Sequence, residues 1–110
     1  MIICEIGLNH MGNIRYANEY IDKVIKSKAD GILFHIREKS FYDTHPKLLL
    51  PDKFYVKAIK KVKKYNVKFG VTLADPDKVE FCKKLSVDFY KIFSRDILDY
   101  KTYIFDTYLV

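Results

Sequence analysis

Four apolar runs are each broken by one polar residue near the downstream end: Glu5 in IICEIGLNH, His35 in GILFHIRE, Thr72 in FGVTLAD and Lys91 in FYKIFSRD. Continuous hydrophobic runs of this length mark strands covered on both faces of a parallel sheet, and functional groups in α/β folds stand where such strands end. Core filling alone does not require the four interruptions, so their recurrence points to one shared pocket. The runs predict strands at about 2–7, 31–36, 67–73 and 87–93.

Between the runs the period changes. Asn13 fits the N-cap of a helix whose Ala17, Tyr20, Ile21, Val24 and Ile25 share one face. Residues 37–50 show neither period and contain Pro46, which predicts a long connection of the kind that often carries function. Pro51 fits the first turn of a lysine-rich helix with Tyr55, Ile59 and Val62 as its apolar stripe. Asp75 as N-cap and Pro76 at the first helical position open another helix, with Val79, Cys82 and Leu85 inward. Asp96 or Asp99 then caps a final helix that carries Tyr100, Tyr103 and Tyr108.

The resulting order, βαβαβαβα, argues for a parallel sheet with right-handed crossovers, either an open doubly wound domain or part of a barrel. No GxGxxG or GxxxxGK[ST] follows any strand, which leaves the dinucleotide and P-loop readings without support. Four βα units are half of an eight-stranded barrel, which normally takes about 250 residues. A chain of 110 residues is therefore expected to be too short to close one alone.

Composition narrows the class. With 49% hydrophobic and 15% aromatic residues, the chain has the make-up of one soluble globular domain with a core. Every apolar run falls short of the roughly 20 residues that span a bilayer, and MIICEIG has no basic segment before it, so a cytoplasmic protein is expected. Cys4 and Cys82 have no CxxC spacing and are expected to be reduced, buried and structural. Much of the net charge of +6 comes from Lys57, Lys60, Lys61, Lys63 and Lys64, the outer face of one helix. That is a solvated surface rather than a nucleic-acid site, since no recognition motif accompanies it. The charge remains compatible with a small anionic substrate.

The polar interruptions carry the candidate chemistry. Ile3, Glu5 and Gly7 share one parity, so Glu5 points where a core residue is expected. A carboxylate there is costly unless paired, whereas in a wet pocket it orients a sugar hydroxyl or works as an acid or base. The turn Asn9-His10-Met11-Gly12-Asn13 is rich in hydrogen-bonding groups, and the amides of the helix behind it can hold an anion. Taken alone such a turn is ordinary, and a histidine like His10 is more often a capping or surface residue. Thr72, Lys91 and Ser94 supply a hydroxyl, a cation and a second hydroxyl, the donors that phosphate and carboxylate need. An inward Lys91 takes a bound anion or Glu5 as partner, while spacing alone is equally consistent with a snorkelling edge lysine.

Taken together, the segment Cys4 to Gly12, CEIGLNHMG, resembles the AEIGxNHNG signature of the sialic acid synthase family, the N-acetylneuraminate and related nonulosonate synthases. Ala29 to His35 resembles the family's GADAVKFQ strand, Gly70 to Asp75 its STPFD strand end, and Asp88 to Ser94 its AxKIxS strand. Order and spacing match over residues 2 to about 105. The resemblance implies a TIM-type (β/α)8 barrel, of which residues 1–110 form the first half as one partial domain, without the second half or the C-terminal antifreeze-like domain. It implies a transferase that condenses phosphoenolpyruvate with an N-acetylated amino sugar of the mannosamine type.

By position, the resemblance makes Glu5 the group that engages the amino sugar and assists proton transfer. Asn9, His10 and His35 then become substrate-binding residues, while Thr72, Lys91 and Ser94 hold the phosphate or carboxylate of phosphoenolpyruvate. A divalent metal, manganese or magnesium, is implied too, but its histidine ligands lie in the family's second half. His10, His35 and His45 are scattered without metal spacing. Two departures stand out. Leu33 replaces the family's phosphoenolpyruvate-binding lysine, with His35, Arg37 and Lys39 as the nearby cations for compensation, and His35 replaces a glutamine. The second departure is length, which fits a truncated product, a degenerate paralogue, a homo-oligomer or a half-barrel that pairs with another; neither nucleic acid nor membrane is an expected partner.

Overall fold

The structure is a computed structural model that describes residues 1–92. The last expected helix, with its aromatic residues, and Ser94 lie outside the described residues. Within them, four parallel strands form one sheet in chain order, β1 (Ile3–Gly7), β2 (Gly31–Ile36), β3 (Lys68–Leu73) and β4 (Phe89–Lys91). Helices α1 (Ile14–Ser27), α3 (Asp52–Lys64) and α4 (Val79–Leu85) connect them, and a short α2 (Lys39–Thr44) lies inside the second connection.

Side-chain caps open two of the helical segments, α1 and the 3₁₀ turn before α4. Asn13 is extended, and its side-chain oxygen accepts from the Tyr16 amide at 3.1 Å, which satisfies an otherwise orphaned donor of α1. Asp75 caps a 3₁₀ turn over Pro76–Lys78, and α4 begins only at Val79. Pro51 stands one place earlier than expected, as the N-cap of α3 rather than inside its first turn. The expected loop at 37–50 is more ordered than its lack of period suggests, with α2 followed by a 3₁₀ turn at Pro46–Leu48. Phe41 anchors this segment, its ring stacked on His45 at 4.4 Å and covered by the Arg37 guanidinium at 4.0 Å.

The connections back into the sheet share one device. Lys28 after α1, Asn66 after α3 and Ser86 after α4 all adopt the left-handed conformation, with φ of 61°, 58° and 58°. Asp30 and Asp88 then fix where strands enter: the Asp30 carboxylate accepts from the Ile2 amide, and that of Asp88 accepts from the Phe69 amide at 2.8 Å.

The core lies on one side of the sheet, between the strands and the helices. Phe34 is fully buried at its centre, stacked on Phe69 at 5.4 Å and met edge-on by Phe54 at 5.7 Å. Ala17, Ile21 and Val24 of α1 and the stripe Tyr55, Ile59 and Val62 of α3 close over it. On α4, Val79 and Cys82 are buried as expected, with Leu85 partly so. Burial pushes the Cys82 thiol up to about 12, which makes it an inert packing group. Cys4 differs from expectation in being only partly buried, and both cysteines are free. The lysines of α3 face outward, with Lys61 paired to Asp22 of α1 and Lys63 donating to the Ser86 carbonyl at 3.1 Å. Among the described residues no helix is long and apolar enough to cross a membrane.

Candidate functional site

The opposite face of the sheet carries the polar interruptions. Strand alternation sends Ile32, Phe34 and Ile36 into the core and leaves Gly31, Leu33 and His35 on the other face. The same parity puts Gly70 and Thr72 of β3, and Phe89 and Lys91 of β4, beside them, since His35 pairs in register with Thr72 and Thr72 with Lys91. On β1 the expected parity holds for Ile3 and Glu5, but the register shifts between Glu5 and Gly7, where Gly7 takes a φ of +59°. Glu5 itself pairs with Leu33 before the shift, so alternation places it on the open face, where its side chain is about half exposed, while Ile6 is buried.

Three of the predicted residues meet there. The Lys91 ammonium donates to both Glu5 carboxylate oxygens, at 3.1 and 3.3 Å, and His35 Nε2 lies 3.0 Å from Glu5 Oε1. Glu5 and Lys91 come from the first and fourth strands of the sheet. In a flat sheet those strands stand roughly 14 Å apart, so side chains rising from it meet only if the sheet curls toward this face. The His35 bond, followed by the Lys91 bond, holds the Glu5 carboxyl below the usual carboxylate range. Glu5 is thus ionised at neutral pH, an acceptor rather than an acid.

Thr72, between His35 and Lys91 in register, is fully buried, and its hydroxyl has no hydrogen-bond partner among the described residues. A buried hydroxyl without a partner is costly and marks a place where a polar group is expected. Glu5, Gly7, Asn9 and His35 also line a shallow cavity of about 400 Å³ at the end of β1, which brings the exposed Asn9 to the same mouth.

His10 is placed differently. Its ring is fully buried and stacked on Phe34 at 6.0 Å, so it faces the core rather than the cavity. Its Nδ1 accepts from the Gly12 amide at 2.8 Å, and Nε2 has no hydrogen-bond partner among the described residues. Burial, with a smaller contribution from the charge of His35, lowers its pKa to about 4. The neutral ring thereby braces the turn that presents Asn9. Gly12 closes the brace: a Cβ there would lie 1.6 Å from the Lys47 carbonyl oxygen.

Leu33 is 4% exposed and brings no charge to this face. Of its three nearby cations only His35 reaches the site; Arg37 bonds Glu38 at 2.9 and 3.2 Å, and Lys39 bonds Asp43 on the outside of α2. Phe89 is the residue that the sequence pattern passed over. Its ring lies across Gly70, where a Cβ would come within 2.2 Å, and reaches Gly31, so it walls the site from below. A glycine at mid-strand is the signal, because it marks close approach by another group. Among the described residues no group of three or more His, Cys, Asp and Glu side chains is placed to hold a metal ion, so they do not fit a divalent metal.

Comparison with known proteins places this arrangement. Over 107 aligned residues the chain is 31% identical to an uncharacterized protein of Methanocaldococcus jannaschii, covering 90% of this chain and 32% of that one. The N-acetylneuraminic acid (sialic acid) synthetase of Leptospira borgpetersenii, solved in complex with citrate, superposes with a TM-score of 0.78 at 27% identity, over 92% of this chain and 38% of that one. A spore coat polysaccharide biosynthesis protein E from Chromobacterium violaceum shares the fold, with a TM-score of 0.74 at 21% identity over 90% of this chain and 35% of its own. The chain thus spans about a third of the length of these relatives, and its four parallel strands correspond to the N-terminal part of their barrel. The NeuB family model matches residues 14–105, and the chain belongs to the NeuB family.

Proposed function

We propose that the chain forms the N-terminal βα units of a sialic acid synthase-like enzyme of carbohydrate biosynthesis, working in the cytoplasm on phosphoenolpyruvate and an N-acetylated amino sugar of the mannosamine type. The observation that carries this reading is the meeting of Glu5, His35 and Lys91 on the open face, with the Thr72 hydroxyl, unpartnered among the described residues, between two of them in register. Lys91 and Thr72, with Ser94, supply donors for phosphate or carboxylate. The ionised Glu5 accepts from a sugar hydroxyl and takes up a proton during carbon–carbon bond formation. Asn9 contacts the sugar from the adjoining turn, and His10 acts through that turn. A divalent metal and the remaining substrate ligands belong to the rest of a barrel, of which residues 1–110 are one partial domain.

Calorimetric titration with phosphoenolpyruvate tests this reading. Saturable binding that Lys91→Ala weakens at least about tenfold supports it, in line with loss of a charge-assisted bond. A folded chain that binds neither phosphoenolpyruvate nor N-acetylmannosamine refutes it.

A second reading, a half-barrel that pairs with another copy or chain, is favoured by the edge strand β1. Its flanking Ile2 is 68% exposed and its Ile3 39%, and exposed apolar strand edges seek a partner. A strictly monomeric species in sedimentation counts against it.

A further inference from the structure

The helix side of the sheet holds a second cavity, of about 590 Å³, whose described lining shares no residue with the Glu5 cluster. That volume is in the range of cavities that take small organic ligands. Ile36 at the end of β2, Pro46, Leu49 and Leu50 from the connection after it, and the phenol rings of Tyr42 on α2 and Tyr55 on α3 make the lining mostly apolar. The charged groups at its rim are unequally satisfied. Each described cation of the lining is already in an ion pair, Arg37 with Glu38 at 2.9 Å, Lys39 with Asp43 at 3.0 Å and Lys78 with Asp52 at 3.0 Å. Asp75 has no cation within ion-pair distance among the described residues. One of its carboxylate oxygens accepts from the Asp77 amide at 3.0 Å, which leaves the other to a ligand.

The phenols supply the second observation. Tyr55 is only 4% exposed, yet its hydroxyl makes no hydrogen bond among the described residues. A buried hydroxyl in that state is costly and marks a place where a polar atom is expected. The Tyr42 hydroxyl oxygen accepts from the Arg37 amide at 3.1 Å, so its hydrogen is left to donate. Burial holds both phenols above their usual range, and they keep their hydrogens at neutral pH. Among the smaller contributions, beside opposed ones from Arg37 and Glu38, Asp75 acts on Tyr42 and Asp52 on Tyr55, which makes these carboxylates neighbours of the hydroxyls. We propose that this cavity binds a small aromatic amine in its ammonium form, with the ring among Tyr42, Tyr55 and Leu50, a polar ring substituent on the Tyr55 hydroxyl and the cationic nitrogen on Asp75. An ammonium ion gives Asp75 its missing partner, and in a half-buried setting that attraction is stronger than in open water. An anion meets the reverse, a carboxylate whose neighbouring cations are already engaged.

The probe is tyramine, beside tyrosol, in which a neutral hydroxyl stands in place of the ammonium, and hydroxyphenylacetate, in which a carboxylate does. Amide NMR spectra of the full chain read both the place and the strength of binding. Tyramine at millimolar concentration is expected to shift the amides of α2, the start of α3 and residues 75–78, and to leave those of Glu5, Gly7 and Lys91 unmoved. Tyrosol is expected to bind at least about tenfold more weakly, the loss of one hydrogen bond to a charged group, and hydroxyphenylacetate not at all. Asp75→Asn retains an oxygen for the Asp77 amide, so the cap survives, and is expected to bring tyramine down to the level of tyrosol. Tyr55→Phe keeps the ring in place and is expected to weaken both ligands severalfold. Equal binding of tyramine and tyrosol, or tyramine binding that a folded Asp75→Asn or Tyr55→Phe leaves unchanged, overturns the inference. So does the absence of shifts around the cavity, or their confinement to the Glu5 cluster. With no lining residue in common, these outcomes leave the synthase reading to its own titration.

Discussion

At the scale of single residues, His10 makes the most direct prediction. In the folded chain its pKa is about 4, against an ordinary value of 6.5, because charging the ring requires burying a cation beside Phe34. The sign follows from where the proton goes. Above pH 6.5 the ring is neutral in both states and contributes no pH dependence. As pH falls from 6.5 towards 4, the unfolded chain takes a proton that the folded ring refuses, so stability declines by up to about 3 kcal/mol. Urea unfolding of wild type and His10→Gln at several pH values is expected to show this component in wild type alone. A parallel decline in the two proteins would mean that His10 titrates normally. Gly12, its hydrogen-bond donor, has a φ of +73° and abuts the Lys47 carbonyl. Gly12→Ala is therefore expected to cost at least about 2 kcal/mol, from left-handed strain and the displaced 46–48 turn together.

At the scale of elements, Asn13 tests whether α1 depends on its cap. Asn13→Ala removes the acceptor for the Tyr16 amide and is expected to lower stability by about 1 kcal/mol in chemical denaturation, whereas Asn13→Asp is expected to retain it. This cap, the boundaries of β2 and the inward stripes of α1 and α3 were legible because capping and periodicity are local properties of the chain. The bulge at Gly7 was not legible from the alternation of Ile3, Glu5 and Gly7, since a register shift depends on pairing with β2. The ordered 37–50 connection escaped for a similar reason. Phe41 gathers His45 and Arg37 by ring contacts that follow no helical or strand period. Among the site residues, Glu5, His35, Thr72 and Lys91 announced themselves as polar breaks in apolar runs. Phe89 did not, because an aromatic residue in an apolar run has no contrast with its neighbours.

At the scale of the whole molecule, the three left-handed joints at Lys28, Asn66 and Ser86 recur at the same step of successive βα units, where each chain segment turns from helix back to strand. Lysine and serine gain nothing specific from this conformation, and each carries a Cβ penalty of roughly 1 kcal/mol that glycine avoids. Lys28→Gly and Ser86→Gly are thus each expected to raise the melting temperature by about 5 °C, read by calorimetry, provided that the relief exceeds the entropy glycine adds to the unfolded chain. Substitution of Asn66, whose side chain tolerates this region, is expected to gain less. All three joints lie at the end of the units opposite Glu5, His35 and Lys91. Heat resistance is therefore a property that this scaffold can acquire without any alteration to its chemistry.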